Sequence, residues 1–247
     1  MFELIDKIIS TLGRNTLYYP GCLMKFAAPE MSEAYRKLLA RCHEDFIVLS
    51  EQELCCGSPV ESLGYRADFE KLIRKNAGIF AKHGVGRIVT PCPACYRVFL
   101  KEYPTVLGDW RIKVEHFSQT LLHAIKDGRL RIKNKQEGTA VFHDPCHLGR
   151  YCGVYEEPRE IIKMMGFELI ELPRSRERAL CCGGGGSFRV NFRGMADRIA
   201  KEFASVAKKN GADRIITMCP LCYLHLKQNS EIPVEEMGMI LLKAVGD

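Results

Sequence analysis

"VTPCPACYRVFLK" at residues 89–101 and "ITMCPLCYLHLK" at residues 216–227 are two versions of one stretch. Each opens on β-branched residues, turns through Cys-Pro-x-Cys and runs on as a helical pattern. Proline suits such a turn, because its missing N–H costs no bond in the first turn of a helix. An adjacent pair, Cys-Cys-Gly, precedes each at 55–57 and 181–183, with 35 or 36 residues between the two cysteines and the CPxC, and a single cysteine precedes each pair at 22 and 146, with 32 or 34 residues between. Ten of the twelve cysteines obey this order, and Cys42 and Cys152 stand outside it. The tails match as well, "IKVEHFSQTLLHAI" at 112–125 against "IPVEEMGMILLKAV" at 232–245. The chain is a duplication.

Short β-rich runs lead into the thiols: "TLYY" (16–19), "FIVL" (46–49) and "RIVT" (87–90), then "TAVF" (139–142), "FELIEL" (167–172) and "RIIT" (214–217). Helical stripes follow, with Phe69, Leu72, Ile73, Ala77 and Phe80 on one face of 66–83. Ala196, Ile199, Ala200, Phe203, Val206 and Ala207 form the counterpart, and both stripes read as core packing. The expected fold is α/β, with two pseudo-twofold-related repeats. Each is a small parallel sheet flanked by helices, with cysteines at the C-terminal strand ends, where ligands gather in such sheets. The polar, cysteine-free "KDGRLRIKNKQEG" at 126–138 holds the boundary, giving a first module over 1–133 and a second over 134–247.

With 247 residues, 47% hydrophobic and 27% charged, the chain has an ordinary globular composition. Lys and Arg outnumber Asp and Glu by 36 to 30 without dense basic clusters, which argues against a nucleic-acid partner. The opening "MFELIDKIIS" lacks the features of a secretory signal, and no run is apolar enough to span a membrane. The expected location is therefore cytoplasmic, or at a membrane through a partner. Many cysteines in such a chain hold metal or do redox chemistry more often than they form disulfides.

A CPxC pair at a helix start can face one metal centre, where exposed amides stabilise thiolates. Taken alone it also fits a zinc ribbon or a thioredoxin-like dithiol. Adjacent thiols in an extended strand point to opposite faces. Turning the chain at Gly57 or Gly183 brings them to one side, where they reach different atoms of a larger cluster more easily than one zinc. A structural zinc or an ordinary cubane cluster takes four thiolates, and each half supplies five.

"YYPGC" at 18–22, "HDPCHLGRYCGVYEEPREII" at 143–162 and the doubled C…CCG…CPxC pattern make the chain resemble the cysteine-rich CCG-domain proteins. Heterodisulfide reductases have such subunits, their catalytic part among them. So do lactate, glycolate and anaerobic glycerol-3-phosphate dehydrogenases, in their iron–sulfur subunits. The resemblance implies two noncubane [4Fe–4S] clusters. Their ligands would be Cys22, Cys55, Cys56, Cys92 and Cys95, and Cys146, Cys181, Cys182, Cys219 and Cys222. Some relatives hold zinc in one module, so zinc stays open as an occupant. Gly57, Gly183, Gly184, Gly185 and Gly186 would let backbone amides approach the cluster. The glycine run lacks the Lys-Ser/Thr of a phosphate loop. It suggests a more open face on the second centre.

His143 and His147 bracket Cys146 as candidate hydrogen-bond or proton donors, against a plain structural role. Cys42 reads as core, and Cys152 as core or a neighbour of the second centre. Three functions fit. The first is a heterodisulfide-reductase-like subunit that reduces a small disulfide. The second is an electron relay between a flavin-dependent dehydrogenase and a quinone-linked acceptor. The third is a zinc-stabilised scaffold. No ferredoxin run and no flavin or nicotinamide fingerprint is visible, so the first two require a ferredoxin-type or flavoprotein partner subunit.

Overall fold

The β-branched runs before Cys22 and Cys92 pair with each other. In the computed structural model, which describes residues 15–246, β1 (Asn15–Tyr18), β2 (Val85–Thr90) and β3 (Lys113–His116) form a parallel sheet in the order β1-β2-β3. In the second half β4 (Thr139–His143), β5 (Glu168–Ile170), β6 (Arg214–Thr217) and β7 (Val234–Glu236) form a parallel sheet in the order β5-β4-β6-β7. Under the sequence repeat β1, β2 and β3 correspond to β4, β6 and β7. The segment "MFELIDKIIS" lies outside the described residues.

The expected strand at 46–49 is reduced to one bridge beside β1, the place β5 takes beside β4. Ile47 N donates to Thr16 O at 2.8 Å, and Tyr18 N donates to Ile47 O at 3.0 Å. Leu49 then turns helical and Ser50 takes φ 47°, so the backbone leaves the extended region before a second pair can form. The run at 167–172 likewise yields only three strand residues, Glu168–Ile170, and Pro173 beyond it has no N–H to extend a ladder. Strands β3 and β7 were not expected, because glutamates interrupt their apolar pattern. Arg87 pairs with Glu115 at 2.5 Å and Arg214 with Glu235 at 3.1 Å, which lets those glutamates sit in a sheet.

The two long stripes are helices, α4 (Arg66–Lys82) and α10 (Arg193–Lys209), each burying its predicted face. Helix α1 (Cys22–Ala27) leads into α2 (Pro29–Arg41), and α3 (Ser58–Ser62) precedes α4. A helix follows each CPxC. In the first half α5 (Pro93–Arg97) passes through a π-helical turn, Val98–Glu102, into α6 (Tyr103–Leu107). Pro104 has no N–H for the ordinary ladder, which accounts for the widened turn. The second half has α8 (Glu156–Met165), α9 (Phe188–Asn191) and α11 (Pro220–Lys227). Among the described residues no helix is long and apolar enough to cross a membrane.

The halves are joined reciprocally. Helix α7 (Phe117–Lys126) of the first half packs on α8 of the second, and α12 (Met237–Val245) of the second packs on α2 of the first. These contacts interchange when the repeats are exchanged, as a pseudo-twofold arrangement requires. One apolar core therefore crosses the boundary, with Tyr35, Leu38 and Phe117 beside Ile161, Ile240 and Leu241. At its centre Tyr35 Oη donates to Glu236 Oε1 at 2.5 Å, while Glu236 Oε2 accepts from Gly238 N at 2.9 Å and caps α12.

Burial raises Glu236 from 4.5 to about 7, against the pull of these donors. The folded state thus holds this proton more tightly than the unfolded chain, and stability falls as pH rises from about 4.5 to about 7. The Glu236→Gln variant should lose that part of the slope, on the order of 3 kcal/mol at most. Urea denaturation across pH 4.5 to 8 checks it. An unchanged slope in the variant would reject the assignment.

Candidate metal centres

Five thiols converge in each half, and the local backbone explains how. In the first, Gly21 takes φ +81°, and a Cβ there would lie 2.9 Å from Cys95 Sγ, so glycine lets the chain pass beside that sulfur before Cys22 opens α1. Gly57 takes φ +97° and turns its N–H onto Cys55 Sγ at 3.4 Å. Cys92 caps α5 with an extended backbone, and Cys95 lies in the first turn. The thiols form one connected chain, Cys22 to Cys55, Cys55 to Cys56, Cys56 to Cys95 and Cys95 to Cys92.

The second half repeats it. Cys146 touches Cys181, Cys181 touches Cys182, Cys182 touches Cys222 and Cys222 touches Cys219. Cys182 Sγ and Cys222 Sγ are 3.2 Å apart. Gly183 N donates to Cys181 Sγ and Gly184 N to Cys182 Sγ, each at 3.4 Å. Thiols so close share protons unequally. Hydrogen bonds from Cys22 and Cys56 hold Cys55 well below the ordinary thiol range, and those from Cys146 and Cys182 do the same for Cys181. Cys22 and Cys146, as the donors, are pushed up. All twelve cysteines are unpaired by disulfides.

Both sets line one cavity of about 470 Å³, which opens between the halves. Gly184, Gly185 and Gly186 line it on one side, with Ser58 and Pro59 in the corresponding place on the other. A Cβ at Gly185 or Gly186 would meet nothing within 4 Å, whereas one at Gly183 would lie 3.0 Å from Ala196 O. The run thus divides into a packed start and an open end facing the cavity. The more open second centre expected from the glycines is not observed. Cys22, Cys55 and Cys92 are half-buried in the first set, but only Cys146 and Cys181 in the second.

His143 is fully buried at the end of β4, its ring edge-on to Phe203. Its Nε2 has no hydrogen-bond partner, and one of its ring nitrogens lies with Cys182 Sγ and Cys222 Sγ within 4.8 Å of one another. Burial holds the ring neutral by lowering its pKa. The repeat places Tyr19 at the matching position in the first half, and its hydroxyl is committed to Leu54 O at 2.6 Å. His147 lines the cavity, edge-on to Tyr151, its pKa lowered first by burial and then by Arg97. Cys42 is a core residue with its thiol pushed up to about 12 by burial. Cys152 packs against the first-half core outside the cavity lining.

Two supports escaped the sequence reading. Gly21 was visible only as part of "YYPGC". The other is Arg159, 1% exposed, which grips both oxygens of Asp144 at 2.7 and 2.8 Å and Glu171 at 2.6 Å. Arg176 N also donates to Asp144 at 2.9 Å. Asp144 stands two residues before Cys146, so this cluster fixes the turn that presents that thiol. An arginine beside Pro158, Ile161 and Ile162 on the buried face of α8 is the signal that could have found it.

Comparison with known proteins agrees with this doubled site. One of the subunits of dihydromethanophenazine:CoB–CoM heterodisulfide reductase from Methanosarcina acetivorans is 28% identical over 94% of this chain and 59% of its own length. One of those of fumarate reductase (CoM/CoB) from Methanothermobacter marburgensis is 30% identical over 92% of this chain and 44% of its own. The EtfAB:quinone oxidoreductase of Syntrophomonas wolfei is 33% identical over 83% of this chain and 30% of its own. The chain thus spans between about a third and three fifths of these relatives. Among solved structures, an aspartate racemase homologue from Pyrococcus horikoshii covers 94% of this chain and 97% of its own at 13% identity and a TM-score of 0.37, a likeness too slight to bear on function. Residues 16–99 and 140–227 each match the CCG cysteine-rich domain. With both copies carrying their five converging thiols, the chain belongs to the CCG cysteine-rich domain family.

Proposed function

We propose that the chain is an iron–sulfur redox subunit of a heterodisulfide-reductase-like complex, holding two [4Fe–4S] clusters of noncubane form and reducing a disulfide between them. The observation that carries this is the single cavity lined by both cysteine sets. A molecule there touches both centres at once, as a reaction needing two electrons from two one-electron donors requires.

The donor set fits such clusters. Five sulfurs and no carboxylate converge in each half, and glycines leave room beside Cys55, Cys181 and Cys182. His143, with its buried Nε2 unpartnered and one ring nitrogen close to the Cys182 and Cys222 sulfurs, is a candidate hydrogen-bond donor to the second centre. When bound, the clusters supply electrons one at a time. The chain's own residues hold them and shield them on the core side. His147, at the cavity wall, is placed to deliver a proton to a leaving thiolate. Electrons come from a ferredoxin-type or flavoprotein subunit, and any membrane association comes through such a partner. A relay to a quinone-linked acceptor is the second reading, favoured by the likeness to an EtfAB:quinone oxidoreductase.

Chemical reduction of the anaerobic protein, followed by a disulfide panel and a quinone, separates these. Oxidation by a disulfide, with a thiol-dependent paramagnetic signal, supports the first reading. Inertness to disulfides with rapid oxidation by a quinone establishes the relay. In the same preparation His143→Phe should lower the reduction potential of one centre only, because a hydrogen bond to sulfur favours the more negative reduced state. An unmoved potential would leave His143 a structural residue.

A further inference from the structure

The shared cavity has a chemistry beyond its thiols. Leu23, Phe26, Pro59, Val190 and Leu221 supply apolar walls, and Ser58, Ser62 and Ser187 the hydroxyls. Among the described lining residues there is no Lys, Arg, Asp or Glu. The cations beside the lining residues in sequence are engaged elsewhere. Lys25 Nζ donates to Ser50 O at 2.6 Å, Arg97 pairs with Glu61 at 2.5 Å and Glu102 at 3.0 Å, and Arg189 bonds Gln228. The rim is apolar too. Phe26 on α1 is 78% exposed and Val190 on α9 86%, one from each half, with Phe192 and Met195 exposed nearby. Large apolar side chains left in water around a cavity mark a surface that meets something apolar.

We propose that the molecule admitted to this cavity is uncharged and apolar, a small neutral disulfide rather than one bearing sulfonate, phosphate or carboxylate groups. This rests on the disulfide-reductase reading and narrows its substrate class. An anion entering here sheds its water and meets no Lys or Arg in the described lining. An alkyl chain instead gains by leaving water. The reaction balances as R–S–S–R taking up two electrons and two protons. The S–S bond breaks and two R–SH molecules leave, with the electrons drawn from the reduced ferredoxin-type or flavoprotein subunit.

The test uses matched probes on anaerobically purified protein. Dibutyl disulfide is compared with bis(3-sulfopropyl) disulfide, and 1,4-naphthoquinone with its 2-sulfonate, by equilibrium dialysis and then by turnover of the reduced protein. The neutral member of each pair should bind about ten-fold tighter or more, because the sulfonate must be desolvated unpaired. Val190→Lys, at an exposed rim position, should narrow that ratio about two- to five-fold by attracting the anion. Equal or tighter binding of the sulfonates, or failure of both neutral probes to bind, overturns the proposal. Turnover of the neutral quinone with neutral disulfides bound but unreduced would remove the disulfide-reductase reading and leave the inference standing. Selective reduction of the sulfonated disulfide would do the reverse.

Discussion

Cys182→Ala is expected to lose about half of the protein's iron, while Cys42→Ala retains all of it. The two thiols are both buried, at 2% and 0% exposure, so burial does not separate them. Position does. Cys182 lies 3.2 Å from Cys222 and also touches Cys181, which makes it the middle link of the second set of five. Cys42 sits among core side chains at the end of α2 and has no counterpart in the repeat. Removing the middle thiol takes away a ligand and opens a gap between the Cys146–Cys181 and Cys219–Cys222 arms. Removing Cys42 costs packing alone. Metal analysis of the two variants beside the parent checks this. Equal iron loss in both would show that the ligands do not follow the repeat.

Arg159→Ala should destabilise the protein by about 3–5 kcal/mol, the usual cost of leaving a buried charge without its partner. Asp144 is 4% exposed and has both carboxylate oxygens on the Arg159 guanidinium. Arg159 also binds Glu171 and accepts no help from solvent, since its side chain is 2% exposed. The same variant frees the turn that carries Cys146, so the second set should lose metal before the first. Replacing Arg159 and Asp144 together by Leu should cost far less than the single change, because no buried charge is then stranded and Glu171, 38% exposed, keeps Arg176. Anaerobic urea denaturation measures it. A loss below about 1 kcal/mol in the single variant would mean that water replaces the guanidinium.

The duplication made most of the fold legible. Wherever a β-branched run abutted a Cys turn, as at Cys22, Cys92, Cys146 and Cys219, both the strand and its membership of a parallel sheet could be read, though not the strand order. Legibility failed where charged side chains in a strand were paired. Glu115 and Glu235 hid β3 and β7 because their partners, Arg87 and Arg214, are remote in sequence. It failed again at 46–49, where β propensity was real but the turn at Leu49 and Ser50 left room for one bridge. The ten thiols were found by spacing alone. Their meeting at one cavity, the unpartnered Nε2 of His143 and the clamp on Asp144 depend on how the halves dock and on single rotamers, which no spacing encodes.

Each complete set of five thiols is expected to hold an iron–sulfur cluster. Purification under strict exclusion of oxygen, followed by iron, acid-labile sulfide and zinc analysis on one sample, measures this. Two four-iron clusters predict about eight irons per chain with matching sulfide and no stoichiometric zinc. Zinc in place of iron, persisting after reconstitution with iron and sulfide, would rule out iron–sulfur clusters at these thiols.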